Sequence, residues 1–543
     1  VPLPQDDTPW PPPDWRKAKR LYDRWEAWYS GDPDKLSKVY EATTTTADPK
    51  MATGAVAAPA LVTLAPRMFW GVTPPQGSMR LAKLHVPLAA EIAATSADLL
   101  FGEPPAFRVP DVKNPARDPA QRHINKVVID ADVHSTLLEA AEICSAYGGV
   151  YLRVGWDKGM ANHVLIDPLP PDAAIPQWRS GRLAAVTFWK ELPAQDNRYT
   201  WRHLERHEPG RIWHGLYRSR GGDTLGERRP LTEHPDTRAF HRLANRQGVV
   251  DTGAAGMTAE YVPNMRPNRL MRGSMLGRSD YDGIEPVLDG LDEAWSSWMR
   301  DLRIGKGKVL VPEVYLQHLG RGKGIAYDAE QEVYQAISAL PSMDKGMQLQ
   351  VVQFAIRVAE HDATTRALWG QAVHGAGYST STLGEGRDGP APTATEIKAR
   401  WRRSLTTRGR KTNYFRGRLA RLWETALAVD ARQFGRKLTP VQPVVEWPDA
   451  VAIDPEQQAR TLQMLDGARA VSTRTKVEML HPDWSPEQVL EEVAAILAVS
   501  GPAPPDSAAP DDQQEQEQPP SPTRPSRAPA RPRGRGYRPS GET

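Results

Sequence analysis

The residues of this 543-residue chain whose types could do chemistry are spaced badly for it. Gly320–Gly324 lies in LGRGKGIAY, which looks like a phosphate-cradling loop. Such a loop needs four residues ahead of Gly-Lys and a Ser or Thr after the lysine to hold magnesium. Here the spacer is missing and Gly324 follows Lys323, so ATP hydrolysis is not expected. His203, His207 and His214 are close in sequence, but on a strand and turn they are expected to point to different faces, and no HExxH helix supplies a ligand pair. Asp280 with Asp282, and Asp289 with Asp292 and Glu293, are carboxylate groups of the kind that bind magnesium; charged helical faces account for them more cheaply. Cys144 is the sole cysteine, which excludes an intramolecular disulfide and a multi-cysteine zinc site and predicts a small buried hydrophobe. No catalytic residue, metal or cofactor is expected, and the chain does not read as an enzyme.

Charge points to weak, local contacts. Sixty-nine basic and 66 acidic groups leave a net charge of +3, too little for a body that grips nucleic acid throughout. The basic residues concentrate instead: ten Lys or Arg lie between Lys398 and Arg421 on a helical pattern with Ile397, Trp401, Leu405, Phe415, Leu419, Leu422 and Ala426 on its apolar side. Two readings stand. The basic face is solvated or meets another subunit, or Lys398, Arg402, Arg403, Arg410 and Lys411 meet phosphates, each such contact adding about 0.9 to the salt slope of binding.

The elements that would position these residues follow from patterning. Of the fifty prolines, six lie in the first fifteen residues and eleven after Gly501, clusters that mark both ends as extended rather than packed. Asp14–Ser30 predicts a helix with an aromatic stripe (Trp15, Leu21, Tyr22, Trp25, Tyr29) docked on its own domain or on another subunit. Val86–Phe101 and His123–Tyr147 predict helices. Val164–Trp178, Ala184–Leu192, Tyr199–Glu208 and Arg211–Arg218, after a strand at Val150–Val154, predict an antiparallel meander, making residues before about Pro267 an α+β unit. Ile284–Ile304 predicts a helix feeding the strand Lys308–Leu316; a second helix is expected from Met347, with Leu349, Val352, Ile356 and Leu368 on its apolar side. Gly375–Pro392 is too rich in Gly, Ser and Thr to hold regular structure and predicts a flexible loop. Thr395 then caps a helix to about Asp430. Asp454-Pro455 and Ser485-Pro486 start two more helices, and a disordered tail follows Gly501. The seventeen tryptophans suit surfaces buried between subunits as well as cores. The N-terminal stretch lacks the apolar run of a secretory signal, and no window reaches the roughly 18–20 apolar residues of a membrane span, so a cytoplasmic product is expected.

This order of elements resembles the portal proteins of siphophages, the head-to-tail connector subunits of tailed bacteriophages. The local agreement lies in HVPLAAEIAATSADLLFGEPP (His85–Pro105), in IRVAEHDATTRALWGQAVHGAGYSTSTLG (Ile356–Gly384), and in TATEIKARWRRSLTTRGRK (Thr393–Lys411). It extends over about Trp25–Leu497. The resemblance implies a multi-domain α+β portal fold: a proline-rich arm at 1–24, a wing at 25–283, stem helices at 284–304 and 347–376, a small α/β clip at 305–346, a tunnel loop at 377–392, a long helix returning to the wing at 393–453, a helical crown at 454–500 and a tail at 501–543.

The same resemblance implies a twelve-subunit ring at one capsid vertex, through which double-stranded DNA is packaged and ejected without sequence specificity. Its implied partners are the terminase large subunit, head-completion or adaptor proteins, and the major capsid and scaffold proteins, in the virion and, during assembly, in host cytoplasm. Tyr378, Ser379, Thr380, Ser381, Thr382, Glu385, Arg387 and Asp388 become candidates to border the DNA. Lys306, Lys308, Glu313, Tyr315, Arg321, Lys323 and Tyr327 become candidates for partner docking. A scaffold or minor capsid protein, and a packaging-associated nucleic-acid enzyme, are the alternatives.

Overall fold

The computed structural model describes residues 2–46, 83–304, 308–310, 350–352, 356–384, 394–448 and 455–499, apart from 113, 116, 194–197, 469, 482–483 and 485. It divides into two units, Val1–Ala452 and Ile453–Thr543.

In the first unit, a 3-10 turn at Pro13–Trp15 runs into α1 (Arg16–Ser30), which stops at Gly31 in the left-handed region (φ +63°), and α2 (Pro33–Thr46) follows. The aromatic stripe of α1 docks on its own domain. Trp15, Tyr22, Trp25 and Trp28 are buried, with the Tyr22 ring 5.9 Å from both Trp15 and Trp25. Each such fully buried side chain contributes roughly 1.5–3 kcal/mol or more of transfer free energy. Helix α3 (Leu88–Phe101) places Leu88, Ile92 and Ala93 in the same core, and its small residues admit close neighbours.

After β1 (Ala106–Arg108), the helix expected over His123–Tyr147 is two helices. Asp118 caps α4 (Pro119–Asp130) by accepting from Gln121 N at 2.8 Å, and α5 (Val133–Tyr147) starts after Asp132 at φ +47°. That left-handed residue ends one helix and redirects the chain into the next. Cys144 on α5 is buried as expected, and burial pushes its thiol up.

The strands are β2 (Gly149–Gly155), β3 (Leu165–Leu169), β4 (Ala174–Arg179), β5 (Arg182–Leu192), β6 (Thr200–Glu208), β7 (Arg211–Ser219) and β8 (Glu227–Arg229); after α6 (Arg238–Leu243) come β9 (Val249–Asp251) and β10 (Ala259–Pro263). The meander is present as the antiparallel order β4-β5-β6-β7-β8, with β9 also pairing β7, but the strand expected over Val164–Trp178 is broken by a 3-10 turn at Pro171–Ala173, and its first part, β3, joins a separate three-stranded sheet β10-β2-β3.

Next come α7 (Glu285–Ile304), β11 (Lys308–Leu310), β12 (Gln350–Val352), α8 (Val358–Ala376), α9 (Ala394–Phe434) and β13 (Val444–Glu446). The helix expected from Met347 therefore begins at Val358. The β-branched pair Val351-Val352 forms a strand antiparallel to β11 instead, and Ile356 is exposed. Helix α9 begins at Ala394, so Thr395 lies inside its first turn rather than capping it. Phe415, Leu419, Leu422, Trp423 and Ala426 of α9 are buried in a second core against α4, α5 and β2; Phe101 and Phe415 meet edge-on at 5.1 Å.

Two further expectations change. The proline-rich arm, expected to be extended and unpacked, turns at Gln5–Thr8 with Asp7 at φ +58° and is packed, with Leu3 and Trp10 buried against Leu204, Tyr217 and Leu225 of the meander. Residues 377–384 are ordered, as described below.

The second unit holds α10 (Pro455–Gly467), α11 (Thr473–Leu480) and α12 (Pro486–Val499). The two helices expected here are present. The short α11 between them was not read from the sequence, although Ser472 caps it by accepting from Thr475 N at 3.2 Å. The expected caps at Asp454 and Ser485, most of the expected clip strand and the tail after 501 lie outside the described residues.

Candidate functional site

The segment that joins α8 to α9 is built from its root. Helix α8 closes against the start of α7: a Cβ on Gly375 would sit 2.4 Å from Ile284 Cγ2, so only glycine permits this approach. Gly377, at φ +100°, turns the chain out of the helix, with its N–H donating to His374 O at 3.0 Å and that of Tyr378 to Val373 O at 3.1 Å. Thr407 Oγ1 of α9 donates to Gly377 O at 2.6 Å. Ser404 Oγ accepts from Ser379 N at 2.9 Å and lies 2.8 Å from Thr382 Oγ1. Thr380–Leu383 forms a 3-10 turn that ends at Gly384, and Leu383 is buried.

Tyr378 is 1% exposed and points into a buried polar hub. Its hydroxyl donates to Asp280 Oδ2 at 2.9 Å and accepts from Lys411 Nζ at 2.9 Å. Lys411 Nζ also donates to Asp280 Oδ2 at 2.5 Å and to Ser96 Oγ at 2.6 Å. Ser145 Oγ reaches Asp280 Oδ2 at 2.6 Å, and Asn264 Nδ2 reaches Oδ1 at 2.8 Å. Burial, reinforced by the Asp280 charge, pushes the Tyr378 phenol far above its ordinary range. The hub joins α3, α5 and α9 with the turn before α7, the residue after β10 and the segment that leaves α8. An ion pair so far from water persists only with its remaining hydrogen-bond sites filled, and here they are.

The loop expected at 377–392 is therefore fixed over 377–384. Local composition favoured flexibility, and tertiary hydrogen bonds from α9 override it. Tyr378 and Ser379 are buried; Thr380, Ser381 and Thr382 are half-buried; Glu385, Arg387 and Asp388 lie outside the described residues. Of the docking candidates, Lys308 opens β11, and Lys306, Glu313, Tyr315, Arg321, Lys323 and Tyr327 lie outside the described residues.

On α9, Arg402, Arg403 and Arg410 are exposed and share a face with Thr406, Gly409, Asn413 and Arg416, spaced three or four apart; Lys398 lies on the same helix. Arg403 donates to His374 O at 2.5 Å, and the Arg416 guanidinium lies 5.7 Å from the Trp447 ring centre. Lys411 is a correction: at 2% exposure its ammonium is committed to Asp280 and faces the core, which withdraws it from the phosphate set. Arg416, not nominated from sequence, takes a place on the exposed face.

The carboxylates, expected on charged helical faces, and the histidines are held by specific partners. Asp280 serves the hub. Asp292 is buried and accepts from Tyr40 OH at 2.6 Å and Val86 N at 2.8 Å, while Asp289 pairs with Lys83 at 2.8 Å. His203, Glu205 and His207 alternate along β6 and so share one face, opposite to the expectation of different faces. His203 and His214 stack with ring centres 5.3 Å apart and Nε2 to Nδ1 at 3.2 Å, Phe240 covers both, and His207 lies 2.8 Å from Glu205 Oε1 and 2.6 Å from Thr258 Oγ1. Burial, then the neighbouring imidazole, pushes His203 down to about 3, and burial pushes His214 down to about 4. Among the described residues no group of three or more His, Cys, Asp or Glu could hold a metal ion, and no helix is long and apolar enough to cross a membrane.

A family model described as phage portal protein, SPP1 Gp6-like, matches residues 19–499. Among solved structures the chain is similar to one from the virion of a native gene transfer agent (GTA) particle, at 15% identity over 77% of this chain and 97% of that one, with a TM-score of 0.32. It is also similar to one from the neck of the native GTA particle computed with C12 symmetry, at 14% identity, the same coverage and a TM-score of 0.32. Comparison with curated proteins finds no match.

Proposed function

This chain belongs to the SPP1 Gp6-like phage portal proteins, a structural family, and from that membership we propose that it is one subunit of a twelve-membered ring that conducts double-stranded DNA into and out of a viral head. The observation that carries the reading is the family match across 19–499, nearly the whole folded chain. The α+β body to residue 283 is the wing, α7 and α8 are the stem, residues 305–346 are the clip, and α10 to α12 belong to the crown. The clip is the platform for the terminase large subunit and then for head-completion or adaptor proteins; the wing faces major capsid and scaffold proteins. The subunit resides at the capsid vertex of the virion and assembles in host cytoplasm.

A conduit has to guide DNA without reading it. Contacts that specified sequence would become barriers at every step, whereas weak backbone electrostatics do not. The exposed arginines at 402, 403 and 410 suit that role, and the hub holds the start of the 377–392 segment, the one assigned to the channel. The chain supplies walls, so the energy for packaging comes from an ATPase partner.

Negative-stain images of the purified protein are expected to show rings with a central channel; small globules or shell fragments alone would sink the reading. A deletion confined to 385–392 is expected to leave ring assembly and melting unchanged while reducing DNA packaged per head. Loss of assembly in that variant would count against placing the loop in the channel.

A further inference from the structure

The arm at residues 2–10 is held by a groove that fits it closely. Leu3 and Trp10 anchor a small cluster with Leu204, Tyr217 and Leu225, separate from the two main cores. Gly215 in β7 leaves the room for Leu3: a Cβ there would come within 3.0 Å of Leu3 Cδ1. The backbone is paired as well, with Asp7 N donating to Gly226 O, Trp10 N to Asp223 O and Leu225 N to Thr8 O, each at 2.9 Å. Tyr217 OH donates to Pro4 O at 2.7 Å, and Asp6 Oδ1 accepts from Arg228 N at 3.1 Å. The Trp10 ring meets Trp189 edge-on at 6.2 Å.

We propose that this groove accepts the arm of a second copy of the chain, so that neighbouring subunits exchange arms; the inference rests on the ring reading above. Three features support it. Recognition is complete within residues 2–10, with no anchor contributed by α1. The connection to the 3-10 turn that leads into α1 is Pro11-Pro12, half-buried, whose fixed φ makes a short stiff spacer. The arm's cluster is a satellite whose buried residues belong to neither main core and which shares only the half-buried Ile175 with one of them. Exchange of an identical element between protomers is a low-cost way to tie copies together, and a closed ring holds each neighbour's arm at high effective concentration.

The test is a full-length Asp6→Cys/Arg228→Cys variant, oxidised after assembly and run without reductant, with particle mass measured by light scattering. The native Cys144 is buried and does not interfere. A ladder of covalent oligomers is expected, and Gly215→Val in the same background, which fills the notch, is expected to abolish it. A cross-linked monomer band alone from particles of ring mass overturns exchange and leaves the ring standing. The same band from protein of monomer mass overturns the ring, and exchange with it.

Discussion

Lys411→Met is expected to destabilise the chain by about 3–5 kcal/mol, because it leaves the Asp280 carboxylate buried without its cation. The effect exceeds that of losing any surface pair, which is worth about 0–1 kcal/mol. Ser145, Asn264 and Tyr378 would still donate to Asp280, but three neutral donors do not replace a charge at 2.5 Å. Adding Asp280→Asn removes the stranded charge, so the double variant is expected to recover most of the loss. Urea unfolding of the three proteins checks this, and a double variant no better than Lys411→Met would show that the pair is not the source of the effect. The predicted loss reaches the loop root too, since Tyr378 accepts from the same ammonium.

Stability is expected to fall steeply as pH drops from 6.5 toward 4. An unfolded histidine binds its proton near pH 6.5, whereas His214 and His203 bind theirs only near 4 and 3 in the folded chain. Across that window the unfolded state holds more protons. Their stabilising contribution is complete above pH 6.5 and is lost as pH falls, at up to about 1.4 kcal/mol per unit for each imidazole. The groups facing the pair are Glu205, Arg153, Lys190 and, beside His214, His207, of which only Glu205 favours a proton on either ring. Glu205 itself is held well below the carboxylate range, largely by Arg153 against its own burial, and adds to acid lability only at lower pH. Measured between pH 6.5 and 5, His214→Gln is therefore expected to flatten the profile; an unchanged slope would place the acid sensitivity elsewhere.

Much of the architecture was visible in residue spacing. The β-branched and aromatic residues of Ala184–Leu192, Tyr199–Glu208 and Arg211–Arg218 mark the meander, although both of its faces are covered and burial runs through consecutive residues such as Trp201–Leu204. The helical period of Leu288, Leu291, Trp295 and Trp298 marked α7. What escaped notice were polar groups used as core. Lys411 sits in a basic run, yet it lies four residues before Phe415 and eight before Leu419, in phase with the apolar stripe of α9, and that phase is the available signal. His203, Glu205 and His207 had the spacing of two that puts side chains on one face of a strand. Asp280 and Tyr378 are 98 residues apart, and Ser96 and Lys411 are 315 apart, so no local pattern joins them. In the arm, proline content masked Leu3 and Trp10 because docking without regular structure leaves no period to detect.

Helix α9 runs unbroken for 41 residues, which at 1.5 Å per residue is a strut of about 60 Å. Lys411 and Phe415 fix its rotation about its own axis at two points one turn apart, and Trp423 fixes it again further along. The helix therefore behaves as a keyed shaft. The direction in which Arg402, Arg403 and Arg410 face is set by the angular phase of residues that never see solvent. Adding one residue between Arg410 and Lys411 would turn the arginines by about 100°, whereas adding seven would nearly restore their heading and move them about 10 Å along the axis. Change in this family's loops is cheap by comparison; change in the length of this shaft has to come in nearly whole turns.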